Sequence, residues 1–581
     1  MNKQDLIKKI NKIQGISREE KAYLVDLVNT KKKYGLVWEN KPEDVEEQLR
    51  SMLPVFKEVK ERAIISEDKT APNHILIEGD NLHALTALTY THEEKIDVIY
   101  IDPPYNTGNK DFIYNDHYVD KEDTYRHSKW LSFMEKRLKI AKHLLSEKGV
   151  IFISIDDNEV AQLKMLCDET FGPNNFLGNL IWQSRTSISN DDYISTNHNH
   201  TLIFSKNKTL VSFYGEKLNE SEYVNPDGDK RGPWKLVPID ANKPGGNTVY
   251  GIINPKTGKE YFPPNKRIWA INRDSYEILF NQGRIKFGMN DDSSPKKKLY
   301  LAERLAKGDN KTPSSLLLSA GTTKDGTNEI INILGSKKFS YPKPSILIAK
   351  LLEYTTNFQN SYTILDFFAG SGTTLHATMA LNAEDGGNRQ CILVTNNENN
   401  IAEEVTYERN KRVIQGYTNA KGDQVEGLTN NNLRYYQSDF IPSARTEVNR
   451  RQLTARSTEL LCIKENCYHC ITADFGINPK QAQLFTDLLG RYMVVVYHSR
   501  SMEAVVEKLT EVIQGLETTE KVKIYAFSPE KDSIEDDFFA VQDKIETVPL
   551  PDSIYNAYVA TFRNITLSQN QADASTQKQD N

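Results

Sequence analysis

The spacing of hydrophobic and polar positions changes several times along the chain. Up to about residue 70, apolar residues recur at helical spacing in DLIKKINKI, EEKAYLVDLVNT and DVEEQLRSMLPVFKEVKERA, which predicts a helical N-terminal extension over residues 1–70. From residue 74 the helical spacing of apolar residues gives way to short continuous apolar runs. HILIEGDN and KIDVIYID are short apolar runs typical of buried strands, and the segment between them has a helical pattern.

The middle of the chain departs from this rhythm. Residues 186–330 contain short strands and turns with Pro-Gly and Asn-Gly punctuation, and the α/β pattern then resumes in SILIAKLLEYTTN, YTILDFFAGSGTT and QCILVTNNE. Alternating strands and helices predict an α/β fold with a doubly wound, mostly parallel sheet. We expect two sequence-distant halves of this sheet, 71–185 and 331–425, around an inserted domain at 186–330.

A further α/β region is predicted from residue 426 to residue 581. RYMVVVYHS and KVKIYAF have the composition of strands, and SMEAVVEKLTEVIQ between them has helical spacing. The last dozen residues are polar, which predicts a disordered tail. Protein contacts, within a dimer or with a partner, are the role that we expect for this region.

Composition narrows the class of protein. Hydrophobic residues make up 38% and charged residues 26% of the 581 residues, as in a soluble globular protein of several domains. The sequence has no apolar run of membrane-spanning length and no apolar signal-peptide core at its N-terminus. Five cysteines are few and odd in number, which favours reduced thiols. We therefore expect a cytoplasmic protein without membrane contact.

Charge gives only a weak indication of a partner. The formal net charge is −6, whereas residues 186–310 hold 19 Lys and Arg against 15 Asp and Glu. From residue 501 to the end the balance is 7 against 15. A mildly basic middle suits phosphate better than an acidic C-terminal region does, although a bias this small is typical of any solvated surface.

The first candidate for chemistry is Asp102-Pro103-Pro104-Tyr105, directly after the predicted strand IDVIYI. Doubly wound sheets bind ligands at this end of their strands. Two prolines stiffen the backbone and remove two N–H donors, so the loop offers mainly acceptors, the Asp102 carboxylate and the Pro103 carbonyl. These acceptors suit an exocyclic amine, and the Tyr105 ring suits a stacked base. An ordinary Pro-Pro turn is the alternative interpretation.

The second candidate is the segment DFFAGSGTT at 366–374, again between a strand and a helix. Gly370 and Gly372 permit a tight turn and close approach of a cofactor, and Thr373 or Thr374 can cap the helix. The segment lacks the lysine of a P-loop and the third glycine of the dinucleotide fingerprint, which disfavours a triphosphate and NAD. The pattern therefore favours another nucleoside cofactor.

Two acids extend this second candidate. Asp366 stands at the tip of its strand, where it can pair with a cationic amine such as the α-amino group of a methionine moiety. Glu398 follows the next strand, QCILVTNNE, and is placed to accept hydrogen bonds from a ribose diol.

The order of motifs resembles a known family. DPPYNTG after ILIEGDN, followed by YPKPSILIAKLL and DFFAGSGTT, is similar to the amino-group DNA methyltransferases that use S-adenosylmethionine, in the permuted β class. WLSFMEKRL, GVIFISIDDNE, TLIFSKN, RGPW and GLTNNNLRYYQSDF resemble the modification subunit of type III restriction-modification systems. The resemblance extends from about residue 74 to about residue 440. It implies a Rossmann-like methyltransferase fold with permuted motif order.

The resemblance also implies roles for particular residues. The catalytic loop that holds a flipped base would comprise Asp102, Pro103, Pro104 and Tyr105. The S-adenosylmethionine site would comprise Asp80, Lys343, Asp366, Phe368, Gly370, Gly372, Thr373 and Glu398. Among these, Asp80 would approach the cofactor adenine and Lys343 its methionine carboxylate. Asp before Pro-Pro-Tyr favours adenine N6 as the target, and cytosine N4 is the alternative.

The inserted segment is the candidate for target recognition because of its place in the family pattern. Its turns, aromatic residues and basic side chains are of the kinds that contact base edges and phosphates. The residues expected to contact DNA are Arg231, Lys235, Arg267 and Arg284. Taken alone, a basic loop segment is equally typical of an ordinary surface.

Two further patterns resemble metal sites but lack the context of one. His198-Asn199-His200 spells the HNH string of certain nucleases, yet it leads into an apolar strand. Cys462, Cys467, His469 and Cys470 have partly zinc-like spacing without a second ligand pair. We therefore predict buried thiols, no metal site and no nuclease activity.

These observations predict a site-specific methyltransferase that transfers a methyl group from S-adenosylmethionine to adenine N6 in double-stranded DNA by base flipping. The resemblance implies a homodimer that acts as the modification and recognition subunit beside a helicase-nuclease restriction subunit. Four alternatives remain open: a solitary epigenetic DNA methyltransferase, a cytosine N4 methyltransferase, an idle DNA-recognition scaffold and an RNA amino methyltransferase.

Overall fold

The structure is a computed structural model that describes residues 38–39, 41, 43–109, 111–115, 117–188, 190, 193–242, 248–307, 310–497, 502–528 and 535–566. The helices predicted before residue 38 and the tail predicted after residue 566 lie outside these ranges. The chain divides into two compact units, one of residues 213–314 and one of the residues on either side of them. Within the described ranges, no helix is both long and apolar enough to cross a lipid bilayer.

The larger unit is built on a ten-stranded sheet. In chain order its strands are β1 Met52–Glu58, β2 Asn73–Glu78, β3 Ile96–Ile101, β4 Leu145–Ile155, β5 Phe176–Gln183, β6 His198–Ser205, β7 Leu316–Leu317, β8 Ser361–Asp366, β9 Asn388–Thr395 and β10 Asn432–Pro442. Their spatial order is β1-β10-β2-β9-β8-β3-β4-β6-β5-β7. The strands from β10 to β4 in this order pair in parallel, whereas β6 pairs antiparallel with both β4 and β5.

Most helices of the larger unit connect these strands or cover this sheet, whereas the helix Met502–Gly515 packs on a second sheet. The helices of this unit are α1 Asp44–Ser51, α2 Asn81–His92, α3 Arg126–Leu144, α4 Val160–Phe171, α5 Thr323–Leu334, α6 Ser345–Thr355, α7 Thr373–Asp385, α8 Glu408–Gln415, α9 Glu447–Arg456, α10 Thr458–Glu465, α11 Met502–Gly515 and α12 Asp552–Thr566. Two short hairpins, Ile113–Tyr114 with His117–Tyr118 and Tyr417–Thr418 with Gln424–Val425, lie outside the main sheet.

Both faces of the sheet are buried. In β3, Ile99 and Ile101 belong to a core cluster that includes residues of α2, α3 and α4, whereas Val98 and Tyr100 belong to a second cluster with α6 and α7. A strand buried on both faces reads as a continuous apolar run, as IDVIYI does. The predicted doubly wound, mostly parallel α/β sheet is therefore confirmed.

The strands that precede the two candidate motifs lie side by side. Ile364 of β8 is opposite Val98 of β3, and Leu365 is opposite Ile99. From β3 the chain crosses through α3 to β4 on one side, and from β8 it crosses through α7 to β9 on the other side. Crossovers that diverge in this way leave a crevice at the carboxyl ends of the two strands. Both motifs therefore begin at the topological switch point.

The prediction of helix throughout residues 1–70 is wrong for Met52–Glu58. This segment is β1, which pairs antiparallel with β10, with Met52 opposite Pro442. Leu53, Val55 and Phe56 are buried in the first core cluster. Glu58 binds Arg434, 376 residues further along the chain, so no local pattern reveals this partner.

The region predicted as a C-terminal domain from residue 426 is shared between two sheets. β10 belongs to the main sheet, and a second sheet contains β11 His469–Cys470, β12 Ala482–Thr486, β13 Tyr492–Val496, β14 Val522–Phe527 and β15 Ile545–Leu550, in that spatial order. Helix α12 then returns to the first core cluster, where Tyr555 and Tyr558 are buried. The Tyr558 hydroxyl donates to the Pro54 carbonyl at 2.6 Å.

The smaller unit, residues 213–314, contains fewer residues than the predicted insert of 186–330. The flanks of that range belong to the larger unit, because β6 and β7 are strands of the main sheet. The smaller unit has an antiparallel sheet of the strands Trp234–Pro238, Ile285–Lys286 and Lys296–Tyr300. Two further strand pairs are Asp240–Ala241 with Ile268–Trp269 and Ile252–Ile253 with Glu260–Tyr261. The helices of this unit are Arg273–Asn281 and Leu301–Ala306. Trp269 and Phe287 lie in its small separate core.

Candidate active site

Asp102, directly after β3, has two hydrogen-bond partners. The Tyr105 hydroxyl donates to Asp102 Oδ1 at 2.9 Å, and Lys343 Nζ donates to Oδ2 at 2.5 Å. Burial and the nearby Asp102 charge raise the pKa of Tyr105 well above its usual value, so this hydroxyl remains a donor. A carboxylate has about four lone-pair positions, and Asp102 therefore retains acceptor capacity for an incoming amine.

The loop that carries Asp102 is fixed by hydrogen bonds from α3 and β6. The buried Trp130 of α3 donates from Nε1 to the Pro104 carbonyl at 2.7 Å. Asn199 of β6 donates from Nδ2 to the Tyr105 hydroxyl at 3.2 Å. Neither contact could be predicted from the sequence, although Trp130 begins the string WLSFMEKRL and Asn199 lies in the HNH string. The Pro-Pro-Tyr loop is thus fixed by side chains from two other elements.

A buried acid lies next to the same loop. Asn106, which has a φ of 57°, donates from Nδ2 to Glu159 Oε1 at 2.6 Å. His127 Nδ1 lies 2.6 Å from the same oxygen. Burial raises the pKa of Glu159 to about 8. Neither Asn106 nor Glu159 was predicted as a site residue, and their role in the structure is to hold the end of the loop.

The glycine turn after β8 has a backbone that glycine alone adopts easily. Gly370 and Gly372 have φ values of 49° and 72°. A Cβ atom added to Gly370 would lie 3.0 Å from Phe339 Cζ, and one added to Gly372 would overlap Asn410 Nδ2. Positive φ and close neighbours together explain why glycine stands at both positions.

Asp366 stabilises this turn by hydrogen bonds within it. It is 2% exposed, and its carboxylate accepts the Phe368 N–H at 3.0 Å and the Thr374 hydroxyl at 2.5 Å. Burial raises the pKa of Asp366 to about 7, with a further rise from Asp102 and an opposing effect of Lys343. The sequence predicts that Asp366 pairs with a cationic amine of the cofactor, whereas in the structure both oxygens serve the turn itself.

Thr373 and Lys343 connect the two motifs. The Thr373 hydroxyl donates to the Lys343 carbonyl at 3.2 Å and accepts from Arg409 Nη1 at 2.7 Å. The Lys343 backbone is thereby tied to the glycine turn, while its ammonium group reaches Asp102. The resemblance places Lys343 at the cofactor carboxylate, whereas its partner in the structure is the carboxylate of Asp102.

A cavity of about 620 Å³ joins the two motifs. The candidate residues that line it are Asp80, Asp102, Pro104, Phe368, Gly370 and Glu398. Pro103, Tyr105, Lys343, Asp366, Gly372 and Thr373 are not part of the lining. The catalytic and cofactor candidates thus come from two distant parts of the sequence and meet around one space of the size that small-molecule sites have.

The cavity is also lined by an arginine that no sequence motif indicates. Arg137 of α3 is fully buried and donates to Glu43 at 3.0 Å and to Asn81 Oδ1 at 2.5 Å. Its Nη2 lies 3.8 Å from Asp80. Asp80 also caps α2 by accepting the Leu82 N–H at 2.7 Å. Asp80 is therefore held in place at the cavity wall.

The four residues predicted to contact DNA are all ion-paired within the smaller unit. Arg231 binds Asp229 at 2.8 Å, Lys235 binds Glu222 at 2.6 Å, Arg284 binds Glu303 at 2.6 Å, and Arg267 binds Asp240. Contact with a phosphate or a base edge would require these cations to exchange a carboxylate for the new partner.

Comparison with known proteins gives matches over the same part of the chain. A family model described as DNA methylase matches residues 96–414. The StyLTI Mod subunit of a type III restriction-modification enzyme of Salmonella typhimurium is 35% identical over 60% of this chain and 56% of its own length. The type II methyltransferase M.KpnI of Klebsiella pneumoniae is 33% identical over 58% of this chain and 84% of its own length. The chain therefore spans little more than half of the Mod subunit.

A solved structure with lower similarity is that of the PvuII DNA methyltransferase, which is described as cytosine-N4-specific. It is 12% identical, with a TM-score of 0.31 over 58% of this chain and 89% of its own.

Proposed function

Because the chain belongs to the DNA methylase family, whose model matches more than half of it, we propose that it transfers a methyl group from S-adenosylmethionine to adenine N6 at specific sites in double-stranded DNA. The observation that carries this proposal is the position of Asp102. Its carboxylate, held by Tyr105 and Lys343, lines the same cavity as the glycine turn at Gly370.

The residues around the cavity fit S-adenosylmethionine. Phe368 offers an aromatic face, and the backbone at Gly370 is bare because that residue has no side chain. The acids Asp80 and Glu398 suit a ligand that carries positive charge and a ribose diol. When bound, the cofactor supplies an electrophilic methyl group on sulfur. We propose that Asp80, Phe368, Gly370 and Glu398 contact it, and that Asp366, Gly372 and Thr373 shape the turn.

The base-binding loop supplies acceptors and positioning. Asp102 and the Pro103 carbonyl would accept hydrogen bonds from the two amino hydrogens of adenine, which localises the nitrogen lone pair and directs it into the cavity. The Tyr105 ring would stack on the base, and Asn199 and Trp130 would keep the loop in position. Extrusion of the base from the duplex costs a few kcal/mol, which stacking and contacts elsewhere would offset.

Asp102→Ala tests this proposal most directly. We expect DNA from cells that express the intact chain to contain N6-methyladenine at one short motif in long-read sequencing, and DNA from cells with Asp102→Ala to lack it. Isothermal titration should show unchanged S-adenosylmethionine affinity in Asp102→Ala, since that residue holds the base. The exposed Asp120→Ala is the matched control and should methylate normally.

Two outcomes would contradict the proposal in different ways. Near-normal methylation by Asp102→Ala would exclude the role of this carboxylate. N4-methylcytosine in place of N6-methyladenine would show that the target base is wrong, while the fold and the cofactor would stand.

We further propose that residues 213–314 select the DNA site. They form a unit with its own core, inserted between the two halves that carry the motifs. Replacement of this unit by the corresponding region of a relative with another target should transfer that relative's methylation motif. Methylation at the original motif by the exchanged chain would contradict the assignment.

The similarity to Mod subunits supports a role beside a restriction subunit. We also propose that the chain forms a homodimer, as the resemblance of its motifs implies. Light scattering of the purified chain should give twice the chain mass. Co-expression with the restriction gene adjacent to its own should yield a complex. A chain that is monomeric and has no such neighbour would instead indicate a solitary methyltransferase.

A further inference from the structure

Two histidines and an aspartate converge beside the base-binding loop. Asp157 follows β4 by two residues, and His198 and His200 lie at the start of β6, which pairs antiparallel with β4. Side chains two residues apart in a strand share a face, so both histidines can reach Asp157. The HNH string contains both histidines, but Asp157 lies 43 residues before His200, so that string alone gives no sign of the cluster.

The three side chains already lie close to the geometry of a metal site. Asp157 Oδ1 is 3.0 Å from His200 Nε2 and 3.8 Å from His198 Nε2. The potential ligand atoms of the three residues lie within 4.8 Å of one another. Around a tetrahedral zinc ion with ligand distances near 2.0 to 2.1 Å, ligand atoms are about 3.3 Å apart. Small side-chain rotations therefore bring all three onto one ion.

Asn179 bears on which ring nitrogen of His200 can bind an ion. Its side-chain amide lies 3.0 Å from His200 Nδ1, and its Oδ1 is buried without a hydrogen-bond partner. A half-turn of the amide would bring Oδ1 to His200 Nδ1, so that the His200 Nδ1–H becomes its donor and the amide nitrogen takes the position without a partner. His200 Nδ1 would then carry the proton, and the lone pair on Nε2 would face Asp157 and His198. Metal-binding histidines are commonly fixed by such a contact.

We propose that Asp157, His198 and His200 bind a divalent transition-metal ion of the zinc type. Two imidazoles and one carboxylate are ligands that suit zinc, whereas magnesium and calcium prefer oxygen alone. Side-chain exposure is 54% for Asp157, 37% for His198 and 13% for His200, so the remaining coordination position opens to solvent. A bound water would complete the site.

The position of the cluster connects it with the loop that binds the base. Asn199 lies between the two histidines and projects to the opposite face of β6, where it donates to the Tyr105 hydroxyl. An ion bound by His198 and His200 would fix the start of this strand and, with it, the position of Asn199. The ion would thus stabilise the structure beside the reaction without taking part in it.

The test is direct metal binding by the full chain without a histidine tag, in the absence of DNA and cofactor. We expect one equivalent of Zn²⁺ in isothermal titration, and visible absorption of bound Co²⁺ that Zn²⁺ abolishes. His198→Ala, His200→Ala and Asp157→Asn should each weaken binding by at least about tenfold, and Asn179→Ala by about tenfold. The exposed His469→Ala is the control and should bind like the wild type.

Either of two results would overturn the proposal: no Zn²⁺ binding by the wild type, or wild-type binding by the double variant His198→Ala, His200→Ala. Circular dichroism and thermal melting check that each variant is folded. Because the measurement uses neither DNA nor S-adenosylmethionine, its outcome is independent of the proposed methyltransferase activity.

Discussion

Asp366 is a buried acid whose charge depends on pH near neutrality. Burial raises its pKa from 3.8 to about 7, against the favourable hydrogen bonds from Thr374 and the Phe368 N–H. The folded chain therefore holds this proton more tightly than the unfolded chain does. By linkage, the contribution of Asp366 to stability is greatest below about pH 4 and declines as the pH rises towards 7.

Asp366→Asn should remove this dependence, because an amide does not titrate. Its oxygen can accept the Phe368 N–H, and its nitrogen can donate to the Thr374 hydroxyl, which then acts as the acceptor. We expect the melting temperature of the wild type to fall relative to that of Asp366→Asn between about pH 4 and pH 7 and to change no further above that range. Thermal melts in a series of buffers measure the difference. The exposed Asp474→Asn serves as control, and parallel curves for the wild type and Asp366→Asn would contradict the prediction.

Lys343 offers a test between two roles. The resemblance places it at the cofactor carboxylate, whereas the structure places its ammonium group 2.5 Å from Asp102. Lys343→Met removes the charge but keeps a similar length. If the ion pair positions Asp102, turnover should fall by about tenfold to a hundredfold, with unchanged cofactor affinity in isothermal titration. A raised dissociation constant for S-adenosylmethionine with normal turnover at saturation would favour the cofactor role instead.

At the scale of elements, helix α7 begins and ends at glycines with the same backbone angle. Gly372 and Gly386 both have a φ of 72°. A Cβ atom at Gly386 would meet nothing within 4 Å, whereas one at Gly372 would overlap Asn410. The two positions therefore separate the cost of backbone strain from the cost of a steric clash.

Gly386→Ala should lower the free energy of unfolding by about 1 to 2 kcal/mol, which is the cost of a left-handed alanine. Gly372→Ala should lower it by about 1 to 3 kcal/mol more because it also overpacks the turn. Urea denaturation measures both, and titration should show weaker cofactor binding in Gly372→Ala alone. Equal losses in the two variants would contradict the role of the Asn410 contact.

The elements that could be predicted from the sequence are those with a strong local signal. β3 and β8 are continuous apolar runs followed by a proline pair and a glycine turn, so their type, order and carboxyl-end motifs were evident. β1 was missed because MLPVFKE lies among helical spacings and acquires its strand pairing only from β10. Pairing between segments distant in sequence does not change the local spacing of apolar residues.

Contacts within the site show the same limit. Asp102 and Tyr105 lie in one tetrapeptide and were predicted together, whereas Lys343 is 241 residues from Asp102 and Asn199 is 94 residues from Tyr105. The sequence also indicated residue types and not their burial. The strand-end position of Asp366 predicts a cofactor contact, whereas its burial and its two hydrogen bonds within the turn could not be predicted from the sequence.

At the scale of the whole molecule, the C-terminal part of the chain completes the core around the candidate site. Helix α12 buries Tyr558 against the first core cluster, and its hydroxyl satisfies the Pro54 carbonyl in β1. The beginning and the end of the described chain thus stabilise each other through the same contact.

Tyr558→Ala should lower the free energy of unfolding by about 3 to 5 kcal/mol, as expected for a large buried aromatic residue. Tyr558→Phe should cost about 1 to 3 kcal/mol, because it leaves the Pro54 carbonyl without its donor. The adjacent, exposed Val559→Ala should change stability by less than about 0.5 kcal/mol. Denaturation curves monitored by circular dichroism test the series, and a loss in Tyr558→Ala no larger than that in Val559→Ala would contradict the assignment.

The same contact can form only after both candidate motifs have been translated. A ribosome adds about 5 to 20 residues per second, so the codon for Tyr558 is read about 10 to 40 s after that for Gly372. During that interval both motifs have been made, while the surface that α12 covers is still open. A message that stops before codon 552 would therefore produce a chain with every candidate catalytic residue and an unfinished core, which we expect to be degraded rather than to methylate DNA.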